Sequence, residues 1–131
     1  MTLPPLLEQH VNQLRQEGHD IEVTVEGSGE QTCIYLVFKD YPVPATIWGR
    51  ATVDLLIMAQ GVYPNAKLDM FWVYPKLLLP DGRIPNGGNS DESHLGRVWQ
   101  RFSWHPSTWN PTRDNLITYL ELVNHRLHQR Q

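Results

Sequence analysis

Hydrophobic positions near the start of the chain recur at helical spacing. Leu3, Leu7, Val11 and Leu14 lie four, four and three residues apart, with polar residues between them. That stripe predicts an amphipathic helix over residues 3–17. Thr2 is the expected N-cap, Pro4 and Pro5 suit a first turn, and Gly18 is a stop signal. From Asp20 the period changes to two. Ile21, Val23 and Val25 alternate with Glu22, Thr24 and Glu26, the pattern of a half-buried strand. Gly27-Ser28-Gly29 marks a turn, and the nearly continuous apolar run Cys33–Phe38 predicts a second strand that Pro42 and Pro44 end. A third strand is expected over Ala51–Met58, where Thr52, Asp54 and Leu56 face opposite to Val53, Leu55 and Ile57. A short fourth strand, rich in Phe and Trp, is expected over Leu68–Val73, its aromatic band belonging to the core. Turn-length gaps between successive strands point to an antiparallel meander.

Residues 75–112 carry no such period and hold five of the ten prolines. They predict a long irregular segment, a feature that compact domains reserve for function or motion. Leu116, Leu120, Val123 and Leu127 then mark a closing helix, with Asp114 in or near its first turn, where the helix dipole favours a carboxylate. Helix, four-stranded antiparallel meander, irregular aromatic-rich segment and helix together predict one α+β domain over residues 1–131.

Composition narrows the function. The chain has 131 residues, 40% of them hydrophobic, enough for one core without staples. No apolar run approaches the ~20 residues of a membrane helix, and the start lacks the features of a signal peptide. A cytoplasmic location without a membrane partner is therefore expected. The single cysteine, Cys33, excludes an internal disulfide framework and a cysteine-rich zinc site; in an apolar strand its default role is a small buried hydrophobe. His125 and His128 stand three apart but have no third ligand in view, so no metal is expected. The net charge of −3 divides unevenly. Residues 1–65 hold three basic and eight acidic residues, and residues 66–131 hold eight basic and six acidic ones. Nothing in this distribution resembles the basic patch of a nucleic-acid binder. The glycines near residue 87 lack the Gly-Lys-Ser/Thr of a phosphate loop, and no cofactor is expected.

The candidate chemistry gathers in the irregular segment. His105, in Trp104-His105-Pro106, could act as a general base near neutral pH or simply hold the loop in shape. Ser90 and Ser93 could be exposed hydroxyls, with His94 or His105 as the base that a serine nucleophile needs. Asp114 completes the catalytic candidates. Trp99, Trp104 and Trp109, spaced by five, either pin the loop to the core or leave an aromatic anchor for a partner. Lys76 and Arg83 are the candidate charged partner contacts.

The order of motifs resembles the ubiquitin-conjugating-enzyme (UBC-like) fold. Tyr63-Pro64 stands as the turn before the fourth strand, and Trp109-Asn110-Pro111 as the signal before the closing helix. The stretches "DMFWVYP", "DGRIP", "RVWQRFSWHPSTWNP" and "RDNLITYLELV" are similar to a prokaryotic ubiquitin-conjugating-enzyme-like family labelled E. Its members are found beside ubiquitin-like proteins, activating-type enzymes and JAB-type metallopeptidases. The resemblance implies a ubiquitin-like protein and an activating-type enzyme as partners. It also exposes two departures. Where ubiquitin-conjugating enzymes have His-Pro-Asn after the fourth strand, this chain has Tyr74-Pro75-Lys76, so the asparagine that would stabilise an oxyanion is missing. Their thioester cysteine stands three residues after the glycine of an Asn-Gly-like turn; here that turn is Asp81-Gly82 and the residue is Pro85. Cys33 maps to the second strand and cannot replace it.

Two readings follow. In one, Ser90 or Ser93 accepts the ubiquitin-like C-terminus as an oxyester, with His94 or His105 as base and with Lys76 or backbone donors of the Gly-rich loop assisting. In the other, the chain is a cysteine-less module that docks the ubiquitin-like protein or its activating enzyme and forms no acyl intermediate. A small-molecule enzyme using His105 has no supporting signature.

Overall fold

A computed structural model describes residues 3–131. Thr2, the expected N-cap, lies outside them. Helix α1 (Pro5–Gln16) buries Leu7, His10, Val11 and Leu14 and starts with proline in its first turn. It ends as the glycine signal implies. Gly18 takes φ +105°, its N–H donates to the Arg15 carbonyl, and the His19 N–H donates to the Leu14 carbonyl. This Schellman arrangement satisfies carbonyls that the helix end would otherwise leave open.

The strands are β1 (Asp20–Glu26), β2 (Cys33–Pro42), β3 (Thr52–Gln60), β4 (Phe71–Tyr74), β5 (Ser90–His94) and β6 (Arg97–Phe102). All pairings are antiparallel, and the order across the sheet is β1-β2-β3-β4-β6-β5. Where a four-stranded meander is expected, the sheet has six strands, β1 to β4 being neighbours in chain order and β6 and β5 completing it. The segment over residues 75–112 is not irregular throughout. It contains a hairpin whose two-residue turn, Leu95-Gly96, has positive φ at both positions, the backbone that a tight hairpin requires. The sequence hides this hairpin for a physical reason. Strand β5 reads Ser-Asp-Glu-Ser-His and lies at the sheet edge, so neither of its faces needs apolar residues. Strand β6 buries Trp99 on one face and Gln100 and Phe102 on the other, which blurs a period of two.

Smaller corrections concern boundaries. Strand β2 runs on to Pro42 through a bulge between Phe38 and Tyr41, where Asp40 takes φ +52°. Strand β4 starts at Phe71 rather than Leu68. A short helix, α2 (Ala45–Trp48), follows Pro44 and stops at Gly49 in the left-handed region. The closing helix α3 (Leu116–Leu127) is capped by Asn115, whose side chain accepts from the Ile117 and Thr118 amides while the Thr118 hydroxyl accepts from the Asn115 amide. None of the described helices is long and apolar enough to cross a membrane.

Helices α1 and α3 cover one face of the sheet. Ile34, Leu36, Phe38, Leu55, Ile57, Phe71, Val73 and Phe102 point toward them and meet Leu7, Leu14, Leu116, Tyr119, Val123 and Leu127 in the main core. The opposite face keeps a smaller apolar cluster of Val37, Leu56, Trp72 and Trp99, flanked by Tyr35, Met58 and Met70. The two helices are tied together by one hydroxyl. The buried Tyr63 OH accepts the Leu116 amide at 2.6 Å and is hydrogen-bonded to Nδ1 of buried His10 at 2.8 Å. Burial holds the His10 pKa below its ordinary value of 6.5, which favours the neutral ring beside the hydroxyl.

Tyr63→Phe leaves the buried Leu116 amide without an acceptor and should lower stability by roughly 1–3 kcal/mol in urea unfolding at neutral pH. His10 generates a second prediction. Its folded pKa lies below its unfolded value, so the unfolded chain binds the proton more readily. The contribution is fully present above about pH 6.5 and is lost as the pH falls through the lower folded pKa. Denaturation midpoints measured between pH 7 and 5 should fall, and His10→Asn should flatten that slope.

Candidate functional site

The chain leaves β4 at Tyr74 and passes through a cis peptide into Pro75 and then Lys76. Leu77, the next residue, is buried, so its backbone polar groups cannot be hydrated. Gln100 of β6 satisfies both. Its Oε1 accepts the Leu77 amide at 2.8 Å, and its Nε2 donates to the Leu77 carbonyl at 3.1 Å and the Gly88 carbonyl at 3.0 Å. A side chain here imitates a strand partner and clamps two points of the segment at once. Gly88 is needed for this approach, because a Cβ there would stand 2.9 Å from Gln100 Nε2 and 3.2 Å from the Phe102 ring. The chain between is closed on itself: Leu79 N–H donates to the Arg83 carbonyl and Gly82 N–H to the Leu79 carbonyl. Pro85, where the family resemblance puts the cysteine, is buried, and its carbonyl accepts the Gly88 amide.

Arg126 of α3 secures the far side of the same segment. Its guanidinium is fully buried, lies against the Phe102 and Trp104 rings, and donates to the Asn86 and Gln131 carbonyls. Burial lowers its pKa, and its Nε has no hydrogen-bond partner among the described residues.

The candidate serines and histidines do not converge. Ser90, Glu92 and His94 share one face of β5, opposite Arg101, Trp99 and Arg97 of β6. Glu92 is the hub of that face. Its carboxylate accepts from Trp72 Nε1 at 3.0 Å and from Arg101 Nη1, and lies 3.0 Å from His94 Nε2. Burial pushes the Glu92 carboxyl up, but the His94 and Trp72 hydrogen bonds and the Arg101 charge bring it below the ordinary carboxylate range. Ser90 Oγ accepts from Arg101 Nη2 at 3.3 Å, and Ser93 points to the other face of the strand, exposed. Neither serine is hydrogen-bonded to a histidine. His105 pairs instead with Asp69, Nδ1 to Oδ1, with its side chain half exposed. This pair flanks the Phe71–Phe102 end of β4 and β6, whereas Lys76 follows the opposite end of β4. Sequence reading missed Asp69 in this role because it is separated from His105 by 36 positions.

Asp114 precedes the N-cap of α3, and its Oδ2 accepts the Asn110 amide at 2.8 Å, closing a turn. All three tryptophans hold structure. Trp99 is 1% exposed and donates to the His94 carbonyl; Trp109 donates to the Pro64 carbonyl; Trp104, half-buried, packs on the core beside Arg126. Lys76 is exposed, 3.6 Å from Asp91. Arg83 is exposed and pairs with Asp81 at 2.6 Å. Cys33 is half-buried on the outer sheet face against Met58, and burial raises its thiol pKa, the reverse of an activated nucleophile. Among the described residues, no three His, Cys, Asp or Glu side chains are grouped to hold a metal ion.

Gln100→Leu keeps the volume but strands the Leu77 and Gly88 backbone groups. It should cost roughly 2–4 kcal/mol and accelerate hydrogen exchange at the Leu77 amide, read by NMR, more than at amides of the β1–β2 pair.

No curated protein and no solved structure matches the chain. The family description that does match is prokaryotic E2 family E, aligned over residues 6–130. That span takes in all of α1 but its first residue, the whole sheet, the Gln100 clamp and α3. An α+β domain with helices on one face of an antiparallel sheet, a cis-proline exit from the fourth strand and a match of this extent lead to one assignment: the chain belongs to prokaryotic E2 family E.

Proposed function

We propose that this protein serves a ubiquitin-like conjugation pathway as a docking subunit, binding a ubiquitin-like protein or its activating-type enzyme without forming an acyl intermediate. The observation that carries this reading is the separation of the reactive groups. A serine becomes a nucleophile only with a base in hydrogen-bond reach. Here Ser90 is engaged by Arg101, His94 by Glu92 and His105 by Asp69. The position of the family cysteine holds a buried proline. Lys76, in place of the family asparagine, adds a charge suited to holding an anionic group rather than a directed amide donor.

The oxyester reading retains one supporting feature. The Asp69 carboxylate orients His105 through Nδ1, which leaves Nε2 as the proton-accepting atom. In that reading the Ser90 or Ser93 hydroxyl attacks the activated C-terminal carbonyl, the leaving group departs from that carbon, and the base takes the hydroxyl proton.

The protein, its activating-type enzyme, the processed ubiquitin-like protein and ATP should give a non-covalent complex by size exclusion and no adduct by intact-mass spectrometry. A new species equal to the two proteins minus water would overturn the docking reading. Its loss in Ser90→Ala or Ser93→Ala, together with sensitivity to hydroxylamine, would assign the oxyester.

A further inference from the structure

A pocket of about 340 Å³ opens where the end of α1, the end of β2 and α3 meet, a size within the usual range of ligand pockets. No residue of the segment that follows β4 lines it. Its aliphatic lining comes from Leu14 and Leu120, both buried, and from half-buried Ile117. Tyr41 and His19 add an aromatic wall, their ring planes 12° apart and their centroids at 6.0 Å, and His19 is the only base in the lining. The Tyr41 hydroxyl is already satisfied, donating to Asn124 Oδ1 at 3.0 Å. Two exposed carboxylates remain, Glu17 and Glu121. Among the described residues neither stands in an ion pair. Glu17 meets only the Gln13 side-chain amide, at 3.5 Å on its own helix.

The acidic first half of the chain leaves these charges without internal compensation. Residues 1–65 hold three basic residues against eight acidic ones, and all three bases are engaged elsewhere. Arg15 donates to the Ile21 carbonyl, Lys39 pairs with Glu22 and Asp54, and Arg50 donates to the Thr52 carbonyl. Glu17 also conflicts with its own helix. It is the C-cap of α1, where the helix dipole disfavours a carboxylate and favours a cation. Proteins keep such local conflicts chiefly where function needs them. A metal ion does not fit: among the described residues no three His, Cys, Asp or Glu side chains group to hold one, and an aliphatic lining offers it nothing. Two carboxylates with an aliphatic lining suit cations joined by methylenes. We propose that this pocket binds a linear aliphatic diamine or longer polyamine, its ammonium groups on Glu17 and Glu121 and its methylenes on Leu14, Ile117 and Leu120. No bond is made or broken, and the site does not depend on the docking reading above.

The probes are 1,5-diaminopentane, pentylamine and 1,5-pentanediol, which share a five-carbon chain and carry two, one and no charges. Each is titrated at about pH 7 into the ¹⁵N-labelled full chain and followed by NMR. The diamine should shift the amides of residues 14–19 and 117–124 and that of Tyr41. It should bind about threefold more tightly than pentylamine, the scale of one exposed ion pair, and the diol should bind least. Glu17→Gln and Glu121→Gln, both at exposed positions, should each bring the diamine to pentylamine's affinity. Magnesium chloride at the same concentration should leave these amides unmoved. Equal binding of diamine and pentylamine would mean a site for a single ammonium, such as a lysine side chain, and overturns the assignment. So do magnesium shifts that match the diamine's, diamine binding that neither glutamine variant weakens, shifts elsewhere only, or no binding.

Discussion

Leu77 is buried three residues after β4 ends, and its amide and carbonyl cannot be left without partners. The Gln100 side chain supplies both and reaches Gly88 with the same amide group. That requirement shapes much of the protein. It places β6 beside β4, so the sheet continues into a hairpin just where the chain would otherwise wander. It draws the Asn86–Gly88 turn against Phe102, and Arg126 then closes the other side through the Asn86 carbonyl. The segment that sequence analysis marks for function is consequently held by side chains from two separate elements, β6 and α3.

This bracing determines what the segment can do chemically. Reactive pairs need convergence, and Ser90, His94 and His105 are each engaged elsewhere, by Arg101, Glu92 and Asp69. Asp54 illustrates the rule. Burial alone would raise its pKa, but the hydrogen bonds from Arg97 and from the Asp40 amide, together with the Lys39 and Arg97 charges, hold it below the usual carboxylate range. Arg97 in turn lies over the Tyr74 and Trp99 rings. Such groups organise a surface. Neither Ser90 nor Ser93 is hydrogen-bonded to a histidine among the described residues.

Much of the fold was legible in local pattern. The stripe Leu7, Val11, Leu14 and its echo Leu116, Leu120, Val123, Leu127 produced the two covering helices, and Ile21, Val23, Val25 produced the first strand. These elements bury one face and expose the other, so their period survives in the sequence. The β5–β6 hairpin was not legible, because an edge strand with polar side chains on both faces has no apolar period to read. Nor were the serines' surroundings: their places on β5 follow from register with β6, and register is a property of two strands together.

By itself the sequence predicted an α+β fold, its two covering helices and first strands, and a resemblance to the family that matches over residues 6–130, since each is carried by nearby residues. Tertiary structure alone decided the pairing of His10 with Tyr63, of Leu77 with Gln100 and of His105 with Asp69, across 53, 23 and 36 positions of chain. Each joins a polar group to a partner that no local spacing identifies. Burial or neighbouring charge selects the partner only when the sheet and helices have brought the two together.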